Sequence, residues 1–262
     1  MRRGLAGSRE RAVELITAAR VEVGGVAVTK PATGVDSQTP IRVVGDRGPE
    51  YASRGGYKLA GALAAFPQIT VAGKRCLDAG ASTGGFTDVL LRHGAAEVVA
   101  VDVGYGQLAW RLRTDPRVRV LDRTNVRGLT PEQISGAAQL TVADLSFISL
   151  TTVMPALSAC TSEEGDLVPL VKPQFEVGRR ALRDGVVHDP ELHVAALVAV
   201  MQAAAELGWA TQGLTRSPLL GPAGNVEFFL WLRRSERADE LTVDRAAIEQ
   251  AAQAGSTNEE PR

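Results

Sequence analysis

Two lysines and two acids stand at the ends of apolar runs in this chain: Lys58 in "SRGGYKL", Asp144 in "VADLSFIS", Lys172 in "VKPQFEVG" and Glu227 in "GNVEFFLWL". In an α/β sheet, ligands are met beyond the strand ends, so this placement puts all four on the ligand side. The chemistry open to such a set is proton removal from a weak nucleophile. A lysine titrates at about 10.4, so it acts as a base only where burial or a neighbouring cation lowers that value. Lys58 near Lys172 would supply such a neighbour. Taken singly, Lys58 is an ordinary surface lysine and Glu227 a solvating charge on an edge strand. Lys172 in "VPLVKPQF" and Asp144 after "LTVA" resist that reading, because an unpaired charge there is costly.

A second stretch, "KRCLDAGASTGGFTDVLLRHGA" (residues 74–95), runs from an apolar strand through a glycine-dense turn into a helix. Glycines let the backbone approach a ligand, and the helix start offers free N–H groups. Asp102 ends the next strand, 22 positions after Gly80, where an acid accepts from ribose hydroxyls. An adenosine-like ligand follows. The turn reads G-x-x-x-G-G, which fits neither the dinucleotide spacing G-x-G-x-x-G nor a phosphate loop ending in Gly-Lys-Ser/Thr.

The elements that position these residues alternate. Strands are expected at "RCLD", "EVVAVDV", "RVRVL", "QLTVADLSF", "DLVPLVK", "ATQGLTRS" and "VEFFLWLRR", with helices at "LAGALAAF", "FTDVLLRHG", "TTVMPALSAC" and 191–208. Near-continuous apolar strands between amphipathic helices imply an α/β fold, a mostly parallel seven-stranded sheet with helices on both faces. Ahead of it, "SRERAVELI" has helical spacing with Ser8 as N-cap. "VEVGGVAV" is a hairpin turning at Gly24-Gly25. The polar, glycine-rich "GDRGPEYASRGGYK" suits a linker. The expected division is therefore a small α+β module at 1–45, a linker at 46–57, the main domain at 58–237 and a flexible acidic tail at 238–262 containing one helical stretch.

The glycine turn resembles motif I of class I methyltransferases, which use S-adenosyl-L-methionine. That resemblance implies cofactor contacts from Asp78, Gly80, Ser82, Thr83, Gly84, Gly85, Phe86, Asp102 and Asp144, with Asp78 and the turn facing the methionine part. The Lys-Asp-Lys-Glu order of Lys58, Asp144, Lys172 and Glu227 resembles the ribose 2′-O-methyltransferases related to FtsJ. With "DAGASTGGFT", "DVGYGQLAW", "LVKPQFEVG" and "GVVHDP" added, residues 2 to 235 are similar to the TlyA, or hemolysin A, family. The resemblance implies 2′-O-methylation of cytidine in 16S and 23S rRNA within ribosomal subunits. The small module resembles an S-four-type RNA-binding module, though that family usually has a longer segment before "RRGLA". In this reading Lys172 is the general base, Asp144 orients it, and Lys58 and Glu227 place the 2′-hydroxyl and tune charge. The donor's sulfonium adds a further cation beside the lysines.

Charge and composition narrow the alternatives. Residues 1–60 carry ten Lys or Arg against six Asp or Glu, and residues 235–262 three against seven, within an overall net charge of -1. The basic end points to a polyanion, with Arg3, Arg9, Arg11 and Lys30 as backbone contacts. Arg179, Arg180 and Arg183, in the loop "FEVGRRALRDG", are candidate phosphate contacts beside the site. The two cysteines, Cys76 and Cys160, cannot build a disulfide framework. His188 and His193 are five apart, which does not match metal spacing on a helix, so no metal is expected. Asp189 is expected to cap the following helix. No apolar stretch reads as a signal peptide or membrane span, so a cytoplasmic protein is expected, with no membrane and no obligate protein partner. Membrane-active hemolysin and non-catalytic RNA-binding protein stand as alternative readings.

Overall fold

The structure, a computed structural model, describes residues 3, 5–6, 9–17, 20–36, 39–44, 51–178, 182–235, 243 and 245–253. The chain forms two compact units, 1–50 and 51–262, each treated by itself below. The first holds α1 (Arg9–Thr17) and the antiparallel strands β1 (Val21–Val23), β2 (Val26–Val28) and β3 (Ile41–Val43) in the order β2-β1-β3. Val23 pairs with Val26, so Gly24 and Gly25 form the expected two-residue turn. Their φ values of 59° and 85° are those of a mirror-image hairpin turn that glycine adopts without strain. The strand "IRV" was not expected; at three residues it is too short to show a period. Ser8, the expected cap, lies outside the described residues.

The second unit is built on seven strands. They are β4 (Arg75–Ala79), β5 (Glu97–Val101), β6 (Val118–Leu121), β7 (Ala138–Ala143), β8 (Thr161–Val171), β9 (Trp209–Arg216) and β10 (Phe228–Arg234). Their order is β6-β5-β4-β7-β8-β10-β9; the first five run parallel, and β10 is antiparallel to both neighbours. All seven expected strands are present. Alternate residues feed two cores, as a sheet covered on both faces requires. Leu77, Val99, Leu167 and Phe228 face α5 (Leu150–Ala159) and α7 (Pro190–Ala205). Cys76, Val98, Val168 and Phe229 face α2 (Arg54–Ala65) and α3 (Gly85–Arg92). Two four-residue helices, α4 (Trp110–Arg113) and α6 (Pro173–Glu176), follow β5 and β8.

Two boundaries differ from the sequence reading. Residues 54–57, expected in a linker, are the first turn of α2. Their glycines are packing glycines: a Cβ on Gly85 of α3 would lie 2.7 Å from the Gly56 nitrogen, so the two helices touch backbone to backbone. Residues 245–253, expected in a flexible tail, form α8 (Arg245–Gln253) and bury Ile248 and Ala252 in the core beside α7. The segment "AGSTNEEPR" lies outside the described residues.

A candidate methyl-transfer site at the carboxyl edge of the sheet

The parallel strands all end on one edge, and each end delivers a polar group. β4 leads into Gly80, β5 into Asp102, β6 into Thr124 and Asn125, β7 into Asp144, and β8 into Lys172. Because β10 runs the other way, its start brings Glu227 to the same edge. Gly80 has φ +89°, and a side chain there would strike the Asp144 carbonyl, so only glycine lets the turn close against β7. The Gly80 N–H donates to Val101 O at 2.8 Å, tying the turn to the next strand end.

A cavity of about 530 Å³ opens beside this turn, lined among others by Gly80, Ser82, Asp102, Asn125, Asp144 and Phe147. That volume falls within the range of small-molecule and cofactor sites. Asp102 accepts from the Ser82 N–H at 2.8 Å and the Gly104 N–H at 2.7 Å, so the turn and the next strand end share one carboxylate. Asp78 is fully buried below the turn. Its Oδ2 accepts from the Thr87 hydroxyl at 2.6 Å, while Oδ1 has no partner. Burial pushes the Asp78 carboxyl up to about 7, the Thr87 hydrogen bond opposing it and the nearby Asp144 and Asp102 charges adding to it. A buried acceptor without a donor, under a glycine turn that itself lines a cavity through Gly80 and Ser82, fits a ligand that brings a cationic donor.

Of the expected cofactor residues, Gly80, Ser82, Asp102 and Asp144 line the cavity. Thr83, Gly84 and Gly85 shape the turn without lining it. Phe86 is buried with its ring 5.9 Å from Phe229, where it anchors α3, and it does not line the cavity. Thr124, Asn125 and Ser146 also line it and were missed. The strand-end rule that selected Asp102 and Asp144 would have found the first two.

The four charged residues form two ion pairs. Lys58 Nζ lies 2.6 Å from Glu227 Oε2, with side-chain exposures of 8% and 1%. Lys172 Nζ lies 2.6 Å from Asp144 Oδ1, at 9% and 22%, and donates to Ser146 Oγ at 2.9 Å. The pairs converge. Phe228 pairs with Val171, and one further step in that register sets Glu227 opposite Lys172, on the same face. From the other side, a Cβ on Gly55, one helical turn before Lys58, would sit 3.7 Å from Asp144 Oδ2. At the rim, Phe147 is 91% exposed with φ +64°, an unfavourable conformation for an aromatic residue. Its ring lies 5.2 Å from Phe175, and the Lys172 ammonium is 6.0 Å from the Phe175 ring.

The remaining candidates lie elsewhere. Arg183 is exposed on a tight turn, whereas Arg179, Arg180 and the Arg11 side chain lie outside the described residues. In the first unit Arg3 donates to the carbonyls of Thr39 and Asp36, and Arg9 and Lys30 are exposed. His193 is buried and bonded through Nε2 to Val187 O, and Asp189 caps α7 by accepting from the Glu191 N–H.

A seven-stranded sheet of this order, with a glycine turn after its first parallel strand, β4, and a cavity at the carboxyl edge, defines a Rossmann-like methyltransferase fold. The model of the FtsJ-like methyltransferase family matches residues 51–234, and the chain belongs to that family. It is 61% identical over 240 residues to the 16S/23S rRNA (cytidine-2′-O)-methyltransferase TlyA of Mycobacterium tuberculosis, covering 91% of this chain and 89% of that protein. It is 38% identical to Hemolysin A of Brachyspira hyodysenteriae, covering 86% and 93%. A solved structure described as a putative hemolysin from Streptococcus thermophilus superposes with a TM-score of 0.77 at 37% identity, covering 97% of this chain and 92% of that one. Among the described residues no helix is long and apolar enough to cross a membrane.

Proposed function

We propose that this chain transfers a methyl group from S-adenosyl-L-methionine to the 2′-hydroxyl of cytidine in ribosomal RNA, of the 16S and 23S type named for its Mycobacterium tuberculosis relative. The observation that carries this reading is the pair of buried lysine–carboxylate contacts converging beside the glycine-turn cavity. The donor supplies a methyl group already activated by a sulfonium. What this chain must add is alignment and removal of one proton, because a ribose hydroxyl is a poor nucleophile.

Asp102 and the turn hold the adenosine part in this scheme, and Asp78 Oδ1 meets the donor's amino group. Lys172, in its neutral form, takes the hydroxyl proton as the oxygen attacks the methyl carbon and the carbon–sulfur bond of the donor breaks, with Asp144 and Ser146 fixing its amine. Lys58 and Glu227 confine the 2′-oxygen from the other side, and the Phe147 ring offers a face on which the target base stacks. The N-terminal module, with Arg3, Arg9, Arg11 and Lys30, supplies contacts to the RNA backbone, and Arg179, Arg180 and Arg183 add further phosphate contacts. No metal takes part in this scheme.

The test is transfer of labelled methyl from the donor to ribosomal subunits, followed by nuclease digestion and mass spectrometry. The expected product is 2′-O-methylcytidine, and Lys172→Ala lowers its formation by about 10²–10⁴-fold while still binding donor. Label found on a base or on protein would refute the reaction, and full turnover by Lys172→Ala would remove lysine as the base.

A further inference from the structure

Asn225, two residues before Glu227, is 2% exposed, and both ends of its carboxamide are in use. Its Oδ1 accepts from the Val187 N–H at 3.0 Å, and its Nδ2 donates to the Gly185 carbonyl at 3.0 Å. These partners are 38 and 40 residues away in the chain, so the side chain is a tie between two loops and no local turn feature. Val187 is held again from its other side. Its carbonyl contacts His193 Nε2 at 3.0 Å, and since a carbonyl can only accept, the histidine donates from Nε2.

What is tied down is a two-residue turn. The Arg183 N–H donates to Val186 O at 3.1 Å, the Val186 N–H returns to Arg183 O at 2.9 Å, and Asp184 and Gly185 between them have φ of 53° and 78°. An Asp-Gly pair adopts this geometry readily. It leaves Arg183 exposed. The backbone of Asn225 is bound into the other loop: the Gly221 N–H donates to Asn225 O at 2.8 Å, and a Cβ on Gly221 would come 2.6 Å from Glu227 Oε1. Glu227 O in turn accepts from the Ser217 N–H at 2.8 Å. One buried amide thus connects the turn carrying an exposed arginine to the loop that packs against the Glu227 carboxylate.

We propose that Asn225 is a positioning residue that clamps the Arg183 turn to the Glu227 segment, holding an RNA-phosphate contact in fixed register with the Lys58–Glu227 pair. This rests on the reading of the site as an RNA ribose methyltransferase. Asn225 touches neither donor nor ribose; it sets where the backbone contact lies relative to the quartet. A cation held an ångström out of place lets the RNA bind with its hydroxyl off line, which costs turnover as well as affinity.

The test compares wild type, Asn225→Ala, Asn225→Asp, Arg183→Ala and the Asn225→Ala/Arg183→Ala double variant in full-length protein with ribosomal subunits. Asn225→Asp keeps an acceptor for the Val187 N–H and sets an oxygen against the Gly185 carbonyl, so it breaks that one bond by a second route should alanine unfold. Each single variant is expected to lower kcat/KM for RNA about tenfold while donor affinity stays within about twofold. Each also flattens the dependence of log KM for RNA on log salt by about one phosphate contact, a slope of roughly 0.7–0.9. The double variant falls no further than the worse single variant, since both lose the same placed cation. A purely structural role would lower the unfolding midpoint and leave the salt slope alone.

An unchanged slope in folded Asn225→Asp, or effects that multiply in the double variant, would overturn the clamp. Hydrogen exchange separates this inference from the reading beneath it. The Val186 amide exchanges faster in Asn225→Asp if the clamp exists, whether or not the wild type methylates RNA. An exchange rate unchanged from wild type refutes the clamp alone, and absent RNA methylation beside faster exchange refutes the function alone.

Discussion

Removing one partner of the Lys58–Glu227 pair should reveal how much of this unit's stability the site consumes. Both side chains are almost fully buried, at 8% and 1% exposure, and their charged atoms are 2.6 Å apart. Such a pair contributes little net stability over an apolar substitute, but breaking it strands a charge at a cost of about 3–5 kcal/mol. Lys58→Met leaves the Glu227 carboxylate with no cation, and Glu227→Leu leaves the Lys58 ammonium. The first is the more costly, because a lysine can bend its stem towards water and a strand-bound glutamate cannot. For a unit of this size each kcal/mol shifts Tm by about 2–4 °C, so each single variant should melt about 6–20 °C below wild type. The double variant Lys58→Met/Glu227→Leu should recover most of that loss, giving a coupling energy of at least ~2 kcal/mol. The assay is urea and thermal unfolding of all four proteins, with donor binding as the check on the folded cavity. Single variants within about 1 kcal/mol of wild type, the range of exposed ion pairs, would refute the reasoning. So would a double variant no more stable than the worse single. The restored double variant should bind donor yet fail to methylate RNA, separating the fold from the chemistry.

Lys172→Ala should lower methyl transfer by about 10²–10⁴-fold, the usual contribution of a positioned base, with donor affinity intact by calorimetry. Asp78 gives a pH signature. Its folded carboxyl at about 7 lies above the ordinary 3.8, so the folded state holds that proton more tightly than the unfolded chain does. The stability it confers is complete below pH 3.8 and is lost as pH rises through about 7, an effect of up to ~4 kcal/mol without donor. Asp78→Asn should remove most of the difference between urea-unfolding curves at pH 5 and pH 8. Phe147→Gly should raise stability by about 1 kcal/mol by relieving the φ of +64°, while raising KM for RNA by the ~1–3 kcal/mol of a lost stacking face. Denaturant titration beside RNA kinetics checks both halves. Deletion of residues 1–45 should spare donor binding and sharply reduce RNA methylation, measured with subunits as substrate.

Strands were the legible part of this fold because the central parallel ones, β4, β5, β7 and β8, are runs of mostly apolar residues closed by a polar one at the carboxyl edge. The same rule placed Asp102, Asp144 and Lys172 where the structure has them. Glu227 was harder, since β10 is antiparallel and its charged residue precedes the strand. Glycine misled in one place and informed in another. In "SRGGYK" it looked like a linker, yet Gly56 lies where α2 and α3 meet backbone to backbone, a contact between residues 29 apart that no local pattern reports. The place of Phe86 was not legible, because a motif names neighbours in sequence, whereas a helix sends successive side chains 100° apart, here into the core. Asn225 gave no signal at all, its two partners lying in a loop with no periodicity.

The position of β10 between β8 and β9 has a consequence for when this protein can act. Lys58 leaves the ribosome 169 residues ahead of Glu227, about 10–30 s at ordinary rates of synthesis. Once β8 and β9 are made they have a vacant lane between them until β10 follows, and until then the lysine is without its counter-ion. The last strand to be made closes the sheet and neutralises the site in one step. A chain stopped just ahead of residue 227 therefore keeps its glycine turn but lacks both Glu227 and the strand that closes the sheet, so the proposed site is incomplete until the last strand is in place.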